Sequence, residues 1–412
     1  MENESNKPQV KTSFAPPPET PTQEAVEGIR FDFNCGLRVS FPKEGAKYRL
    51  IFRDLDSGIV LYCMDAEPGS TVASVKRYFV RFAVEIYRQD DLDRPVFTHE
   101  LDLRDRDVLV QIPQGALGDN IAWFSYVERF MRRHRCRLHL AMQRELADIF
   151  RGQYPDIDFV GHEEAASLRP YATYNLGLFF GGDTDGQPFD FRQAGLHRTA
   201  GLILGLDDLE DEPPRVNLDA RRLIGERYAV IATQASSQCK YWNNPSGWRE
   251  VVSWLRAQGL RVVCIDRMAE YGSGFVFNHI PWGCEDLTGD RPLQERIDVI
   301  KDAEVFVGLS SGLAWLAWCC KVPVVLISGF TDPVNEFFTP YRVQNRLACH
   351  GCWNDMRCEF DHSDFLWCPR KEKPEEKFEC TRAITAQMVI SKLRKIVGEG
   401  GERNGGHKSR PN

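Results

Sequence analysis

From residue 107 onward, short apolar runs alternate with stretches of helical periodicity, and this alternation constrains the fold more than any other feature of the sequence. It stops at an acidic, proline-containing stretch, Asp207–Pro214, and then starts again. Repeated strand–loop–helix units are typical of a parallel sheet with crossover helices. We therefore predict an α/β protein with two Rossmann-like halves joined near residues 207–220. The predicted strands are Val108–Ile112, Arg137–Ala141, Tyr228–Ile231, Arg261–Ile265, Val305–Val307 and Val322–Ile327, and the predicted helices are 120–133, Arg144–Gln153, Trp248–Gln258, Pro292–Asp302 and Gly312–Cys320.

A different pattern precedes the first half. Between residues 28 and 106, short alternating runs flank turn signals such as Asp56-Ser57-Gly58, and Val75–Arg88 alternates for long enough to predict one long strand. We predict a small antiparallel β module there. Residues 1–27 contain few apolar residues and the run Pro16-Pro17-Pro18, which predicts a disordered or extended arm. The other predicted segments are 107–215 and 216–345 for the two halves, 346–382 for a cysteine-rich loop, 383–397 for a C-terminal helix and 398–412 for a flexible tail.

The charge balance and the cysteine content narrow the class of function. The chain has 52 Lys and Arg residues against 59 Asp and Glu residues, a net charge of −7, which argues against binding to a nucleic-acid backbone. It contains no run of about 18 apolar residues, which predicts no membrane span. The polar N-terminus lacks the pattern of a secretory signal, so we expect a cytoplasmic protein. In that reducing compartment the 13 cysteines are expected to be thiols or metal ligands rather than disulfides.

A glycine-containing loop, Gln114–Asn120, follows the first strand of the first half and leads into a helix. Ligands of open α/β sheets bind at the carboxyl ends of the strands, so Gly118 and Asp119 are well placed to contact a ligand. The pattern is neither GxGxxG nor a P-loop, and it does not indicate nucleotide phosphates. Asp is also a favoured helix N-cap, so a purely structural role for Asp119 stays open.

Two segments of the second half suit an anion. Phe306–Ala314 runs from a strand through a Gly/Ser turn into a helix, whose N-terminal N–H groups and dipole favour negative charge. Ala235–Trp242 carries a lysine in a loop after a strand, where it can reach a diphosphate. A capped helix and a solvated lysine would explain each segment separately, but together they suggest a diphosphate leaving group. The residues expected at this donor site are Ser236, Lys240, Trp242, Ser310, Ser311, Gly312, Leu313 and Ala314.

Five of the cysteines crowd between positions 349 and 380. Four of them follow the spacing Cys349-x2-Cys352-x15-Cys368-x11-Cys380, and Cys358 is left over. Four thiolates can close a tetrahedral site around a metal ion. The softness of the ligands alone would favour zinc, and unligated thiols are the alternative.

The three loops together resemble the ADP-heptose-using heptosyltransferases, whose two Rossmann halves form the GT-B fold. The resemblance rests on Gly118-Asp119, on Lys240-Tyr241-Trp242, and on the turn Ser310–Leu313 followed by Gly329–Pro333. Two departures are visible. Ser310-Ser311 stand where that pattern has Asp-Thr, and Trp315 stands where the lipopolysaccharide enzymes carry His.

The cysteine cluster, the N-terminal β module and the Pro-rich arm together resemble the bacterial autotransporter heptosyltransferase family, over roughly residues 14–397. This resemblance implies a GT-B protein that holds iron in the cluster and assembles as a dodecamer. It also implies transfer of heptose from ADP-heptose to serine hydroxyls of an autotransporter passenger domain, with residues 107–215 as the acceptor domain and residues 216–345 as the donor-binding domain. Asp119 would be the general base.

In the same reading, Lys240 and the Ser310–Leu313 turn would stabilise the departing ADP, so that no catalytic divalent ion is expected. Adenine and ribose would be bound by the loops at Asp266-Arg267 and Asp286–Thr288, and Gly118 would also contact the donor. Two other functions compete. A lipopolysaccharide-core heptosyltransferase is disfavoured by the extra β module and the negative charge, and a non-catalytic sugar-nucleotide-binding scaffold would not need the general base, the lysine and the phosphate turn together.

Overall fold

The chain divides into two units between Glu212 and Pro213, close to the junction predicted from the acidic stretch. The structure is a computed structural model that describes residues 14–181 and 183–398. Most of the predicted flexible tail, from residue 399 on, and the first 13 residues of the predicted arm lie outside the described residues. Within the described part of the chain, no helix is both long and apolar enough to cross a bilayer.

In the first unit, most of the strands precede the first helix. The strands are β1 (Gln23–Glu24), β2 (Arg30–Asn34), β3 (Arg38–Ser40), β4 (Tyr48–Asp54), β5 (Val60–Ala66), β6 (Thr71–Ala73), β7 (Phe82–Arg88), β8 (Asp91–Glu100), β9 (Asp107–Gln111), β10 (Arg137–Ala141), β11 (Ile157–Val160) and β12 (Ala172–Asn175). The helices are α1 (Leu117–His134), α2 (Arg144–Ala147), α3 (His162–Ala165), α4 (Phe191–Ala194) and α5 (Leu196–Ile203). The predicted helix Arg144–Gln153 is not continuous. The helix α2 ends after one turn, and a separate 3-10 turn follows at Arg151–Gln153.

The main sheet of the first unit has the strand order β11-β10-β9-β12-β2-β3-β6, with β1 paired to β2. The strands from β11 to β2 are parallel, and β3 and β6 are antiparallel additions. A second sheet, β5-β4-β7-β8, is antiparallel, as predicted for residues 28–106. However, β2, β3 and β6 complete the main sheet instead of forming a separate module. Their pairing covers the edge of β12, whose backbone groups would otherwise be exposed.

Of the two alternatives predicted for the arm, disorder is wrong for its described part, residues 14–27. Strand β1 pairs with β2 in this segment, with Gln23 opposite Phe31. The guanidinium of Arg38 donates to the carbonyl of Pro18 at 2.9 Å. The arm is ordered because its backbone groups find partners on the main sheet, which its own composition does not reveal.

The prediction of one long strand over Val75–Arg88 is also wrong, because the strand begins only at Phe82. The N–H of Arg77 donates to the carbonyl of Asp185 at 2.9 Å, and the N–H of Phe79 donates to that of Ile203 at 2.8 Å. The alternating pattern here reflects packing against later loops of the same unit, not pairing with a neighbouring strand.

The second unit is a parallel sheet with the order β17-β14-β13-β18-β19 and a separate hairpin, β15-β16. The sheet core contains Ala229, Val262 and Val307, packed against helix residues such as Val252 and Leu393. The strands are β13 (Tyr228–Ala232), β14 (Arg261–Cys264), β15 (Glu270–Ser273), β16 (Val276–His279), β17 (Glu285–Asp286), β18 (Val305–Leu309) and β19 (Val324–Ile327). The helices are α6 (Gly247–Ala257), α7 (Leu293–Ile300), α8 (Gly312–Cys319), α9 (Glu379–Arg382) and α10 (Ala386–Val397).

The strand order determines which loops can share a site. Because β13, β14, β17 and β18 are parallel, their carboxyl ends lie at one edge of the sheet. The loops that follow them begin at Thr233, Ile265, Leu287 and Ser310, and these loops and the first turn of α8 carry all the donor-site residues predicted for the second unit. In the first unit, β9 and β12 likewise end at a common edge, which leads to Asp119.

Candidate active site

Asp119 lies in the first turn of α1, after the loop that follows β9. The N-cap of this helix is Ala116, whose backbone is extended and whose side chain forms no cap. Asp119 is therefore not the N-cap, although an acidic residue in the first turn also stabilises the helix through its dipole. Its carboxylate is half-buried where the helix dipole stabilises negative charge, and its neighbour Gly118 is buried. This position favours an ionised carboxylate, the form that can accept a proton.

The same edge of the first unit carries a buried amide that sequence reasoning missed. Gln111, the last residue of β9, is 0 % exposed. Its Oε1 accepts from the backbone N–H of Ala15 at 2.9 Å, and its Nε2 donates to the carbonyl of Ala15 at 3.0 Å and to Asn175 Oδ1 at 3.0 Å. In the sequence, Gln111 could have been noticed as a polar residue at the end of an apolar strand. Only the topology shows that it shares an edge with the end of β12.

In the second unit, the predicted phosphate turn joins β18 to α8. The helix begins at Gly312 after Ser311, an N-cap with extended backbone and no side-chain cap bond. The Oγ of Ser311 is buried and has no hydrogen-bond partner among the described residues. The N–H groups of Gly312 and Leu313 lack intrahelical acceptors by helix geometry, so they can donate to an anion. The N–H of Ala314 already donates to the carbonyl of Ser311 at 3.1 Å, so it is not free for the predicted donor contact.

A buried ion pair holds the start of this turn, and the sequence did not indicate it. Glu336 is 2 % exposed and accepts from the hydroxyl of Ser310 and, at 2.5 Å, from that of Thr331. The guanidinium of Arg342 donates to Glu336 at 2.5 Å and to the carbonyl of Thr331 at 2.9 Å. Charge-assisted bonds of this kind fix Ser310 in one orientation. The nearest sequence signal was the motif Gly329–Pro333, which lies just before Glu336.

Lys240 lies at the same edge of the second unit as the phosphate turn. It ends a short 3-10 turn, Gln238–Lys240, in the loop after β13. Its Nζ is 3.4 Å from the Oγ of Ser236 and 5.6 Å from the centre of the Phe330 ring. Phe330 precedes Thr331, whose hydroxyl lies 3.5 Å from that of Ser310. A chain of contacts thus joins the predicted cation to the predicted anion site.

Trp242 is buried, although it follows Lys240 closely in sequence. It is 4 % exposed, and its indole N–H donates to the carbonyl of Ile384 at 2.8 Å. A Cβ added at Gly247 would lie 2.4 Å from the Trp242 ring, so the ring packs directly on the start of α6. The predicted donor contact of Trp242 is not supported, because its surface is used by the core.

The loops after β14 and β17 meet at the same edge. Asp266 is buried, and its carboxylate accepts from the N–H and hydroxyl of Thr233 at 2.7 and 2.8 Å. Burial raises the pKa of Asp266, and these bonds lower it. The structure therefore gives Asp266 the role of holding the loop after β13, rather than the predicted donor contact. Arg267 is exposed and pairs with Asp290 at 3.4 Å, and Thr288 is partly exposed, so these two retain surfaces for a ligand.

The predicted metal-binding cysteines converge in the loop that follows the sheet of the second unit. The thiol of Cys380 donates to Cys349, which lowers the pKa of Cys349 to about 6 and raises that of Cys380. Burial raises the pKa of Cys352, and the neighbouring Cys239 and Cys368 raise it further. The four residues with the predicted spacing thus influence one another directly. Cys239, which sequence reasoning missed, joins them from the loop after β13.

The chemistry of these donors fits a metal ion that prefers thiolate ligands. One thiol is already shifted toward its thiolate form, and the surroundings are aromatic, with Phe330 and Trp367 in the same buried cluster. In the described part of the chain, however, no group of three or more His, Cys, Asp or Glu side chains is positioned to hold a metal ion. Cys358 packs against this cluster as Cys352 does and is more exposed than Cys368.

Family models match two parts of the chain. Residues 26–90 match the model of the glycosyltransferase TibC, N-terminal domain, and residues 199–362 match the model of glycosyltransferase family 9 (heptosyltransferase). The first match spans β2 to β7, and the second spans the whole sheet of the second unit together with Lys240 and the phosphate turn.

Relatives match along nearly the whole chain. The autotransporter heptosyltransferase BAHTCr of Citrobacter rodentium (strain ICC168) is 51 % identical over 96 % of both chains. The autotransporter heptosyltransferase TibC of Escherichia coli O78:H11 (strain H10407 / ETEC) is 50 % identical over 95 % of this chain and 96 % of TibC. The crystal structure of dodecameric iron-containing heptosyltransferase TibC in complex with ADP-D-β-D-heptose matches with a TM-score of 0.88 and 49 % identity, covering 92 % of this chain and 98 % of that chain. The chain therefore belongs to the autotransporter heptosyltransferases, within glycosyltransferase family 9.

Proposed function

We propose that this heptosyltransferase moves heptose from ADP-heptose to serine hydroxyls of an autotransporter passenger domain. The observation that carries the proposal is the anion site of the second unit. There the N-terminus of α8, the buried Oγ of Ser311 and the ammonium of Lys240 are joined by contacts at one sheet edge. The complex of TibC with ADP-D-β-D-heptose supports a nucleotide-activated heptose as the anion.

The donor is proposed to bind through its diphosphate and its nucleoside separately. The diphosphate meets the ammonium of Lys240 and the N–H groups at the start of α8, because both supply positive charge without a metal ion. The nucleoside lies toward the exposed Arg267 and the partly exposed Thr288 at the neighbouring loops. The proposed donor contacts are Gly118, Ser236, Lys240, Arg267, Thr288, Ser310, Ser311, Gly312 and Leu313.

Asp119 is proposed as the general base of the transfer. Its carboxylate takes the proton of the serine hydroxyl while the serine oxygen forms a bond to the anomeric carbon. The bond from that carbon to the phosphate oxygen breaks, and ADP leaves with the electron pair. A positioned base contributes roughly 10²–10⁴-fold, because a serine hydroxyl ionises too weakly on its own. The positive groups around Lys240 stabilise the ADP as its charge develops, so no catalytic divalent ion is required.

The cysteine loop is proposed to hold one structural metal ion per chain, through Cys349, Cys352, Cys368 and Cys380. Four thiolates fill a tetrahedral site and leave no position for substrate, so the metal would supply folding energy rather than chemistry. Because the TibC structure is iron-containing and dodecameric, we propose iron as the metal and a dodecamer as the assembly.

Transfer by the purified protein tests the proposed function. We expect ADP release from ADP-heptose only when a passenger domain is added, together with a mass increase of that passenger. A lipopolysaccharide core acceptor in a parallel reaction distinguishes the related activity. Modification of the core but not of any passenger would assign the protein to that activity instead. Tight ADP-heptose binding with neither product would favour a non-catalytic binding protein.

A further inference from the structure

The chain's own N-terminal arm lies on the edge of the first unit where a ligand is expected. Ala15 packs against Leu109 and Ala141, which belong to β9 and β10, and against Val160 at the end of β11. The ring of Phe14 stacks on that of Phe179, with centroids 6.3 Å apart. In open α/β sheets the carboxyl ends of parallel strands are the usual place for ligands. Here a segment of peptide already occupies part of that place.

Gln111 recognises this segment through its backbone alone. Its amide accepts from the N–H of Ala15 and donates to the carbonyl of the same residue, which is the pairing that a neighbouring strand would offer. The bond from Nε2 to Asn175 Oδ1 fixes the orientation of the amide. Recognition of this kind depends on an extended backbone and not on the identity of the side chain at position 15.

The burial of Gln111 means that the amide requires a partner. The side chain is 0 % exposed, and a buried amide left without hydrogen bonds is costly. If the arm leaves, another extended backbone can restore both bonds, whereas an apolar group cannot. The amide is therefore suited to exchange one peptide for another.

The position of Gln111 connects it to the proposed general base. The loop that leads to Asp119 begins at the residue after Gln111, and α1 starts at Leu117. A serine that reaches Asp119 brings its flanking residues across this same edge. A passenger segment bound there would need an extended backbone, as the arm has at Ala15.

We propose that the edge formed by Gln111 and Phe179 binds the backbone of the acceptor peptide, and that Phe14–Pro16 occupies this binding site in the structure in place of an acceptor. The proposal rests on the proposed transfer to a passenger domain. Gln111 is a positioning residue in it, since it holds the peptide and not the reacting atoms. The arm and the acceptor then compete for one site.

Opposite effects of two variants on the acceptor KM test the proposal in the full-length protein. Ala15→Pro removes the N–H that donates to Gln111 and keeps the extended backbone already favoured before Pro16. We expect it to lower the acceptor KM roughly fivefold, the effect of about one hydrogen bond, and to leave the donor KM unchanged. Phe14→Ala should act in the same direction, and Ala15→Ser, which keeps the N–H, should behave as wild type.

Gln111→Leu should raise the acceptor KM instead, although it also releases the arm. If Gln111 only anchored the arm, this variant would lower the acceptor KM as Ala15→Pro does, and that result would overturn the proposal. Unchanged acceptor KM in both Ala15→Pro and Phe14→Ala would overturn it as well.

A binding measurement separates this proposal from the proposed function. A fluorescent peptide with the sequence of residues 11–19 should bind the Ala15→Pro variant and be displaced by passenger domain, without any donor present. Peptide that binds but is not displaced by passenger, or that does not bind, counts against the acceptor site. Displacement without any heptose transfer by the wild-type protein would leave the site intact and refute the transferase function alone.

Discussion

Lys240 is the cation on which donor binding depends at the scale of single residues. We expect Lys240→Ala to weaken ADP-heptose binding and to slow transfer, roughly tenfold each, because the charge meets the diphosphate in both the ground state and the transition state. Lys240→Arg keeps the charge and serves as the matched control, with affinity within a few-fold of wild type. Calorimetry with ADP-heptose measures the change. Unchanged affinity and rate in Lys240→Ala would make Lys240 an ordinary solvated lysine.

Glu336 stabilises the phosphate turn by accepting a hydrogen bond from Ser310. The side chain of Glu336 is 1 % exposed and that of Arg342 is 12 % exposed. Glu336→Ala would therefore leave the guanidinium of Arg342 buried without its carboxylate partner. Breaking a buried ion pair in this way costs about 3–5 kcal/mol of unfolding free energy. We expect urea denaturation to show a loss of that order, and calorimetry to show weaker donor binding because Ser310 is released. Glu336→Gln, which keeps the shape and one acceptor oxygen, should be intermediate. A Glu336→Ala protein with wild-type stability would show that the network does not hold the turn.

Residues in the loops that follow strands could be predicted from the sequence, because that position depends only on local order along the chain. Lys240 and Ser310 are examples, and the structure brings both to one edge. The burial of Trp242 could not be predicted, since its hydrogen-bond partner, Ile384, is 142 residues away. The role of Gln111 was missed for the same reason, because its partners Ala15 and Asn175 are 96 and 64 residues away. Glu336 was missed because its contact with Ser310 spans 26 residues, although Thr331 and Arg342 are close to it in sequence.

The cysteine loop, residues 346–382, is the element whose stability depends on a metal in our proposal. Within the described residues it contains no strand, and its only helical residues begin at Glu379. Structural thiolate sites supply roughly 10–16 kcal/mol in zinc peptides, so loss of the metal should unfold the loop. We expect serine at any proposed ligand to abolish the metal content and to give poorly soluble, weakly active protein. The proposed ligands are Cys349, Cys352, Cys368 and Cys380.

Elemental analysis of single variants tests this ligand set. Cys358→Ser is the matched control, because Cys358 belongs to the same loop but lies outside the predicted spacing. It should retain the metal. Full metal content in Cys380→Ser, or none in Cys358→Ser, would show that the set is wrong. Loss of metal in Cys239→Ser would point to the loop after β13 as a further source of ligands.

At the scale of elements, sequence periodicity predicted β9, β10, β13, β14, β18 and β19 but missed the parallel strands β11, β12 and β17, and it predicted the N-terminal strands less well. Strands such as β10 and β13 are short apolar runs between helices, so their pattern has one interpretation. The alternation over Val75–Arg88 has two interpretations. It fits a strand, and it also fits a segment whose backbone is hydrogen-bonded to Asp185 and Ile203 instead of to a neighbouring strand. The order in residues 14–27 likewise depends on pairing with β2, which composition does not reveal.

For the whole molecule, the antiparallel sheet is where we expect copies of the chain to meet in the proposed dodecamer. Its outer strand β8 carries Asp91, Asp93 and Pro95, which discourage pairing with another strand. The opposite outer strand, β5, leaves Val60 and Tyr62 44 % and 43 % exposed. An exposed apolar outer strand is a surface that another chain can cover.

We therefore expect Tyr62→Lys to reduce the size of the proposed assembly. A lysine on β5 places a charge in the apolar contact, and light scattering of the purified protein measures the particle mass. Asp93→Lys, an equally large change on β8, is the matched control and should leave the particle unchanged. A Tyr62→Lys particle as large as the wild-type one would exclude β5 as the contact.

Intact-mass spectrometry of a passenger domain, co-expressed with this protein in a cell that makes ADP-heptose, tests the central claim most directly. With the wild-type chain we expect a ladder of masses that differ by one heptose residue. With Asp119→Asn, which keeps the size of the side chain but removes its basicity, we expect the ladder to vanish while ADP-heptose affinity stays within a few-fold. No ladder with the wild-type chain on any of several passengers, or more than about half of the wild-type ladder with Asp119→Asn, would contradict transfer to serine through Asp119.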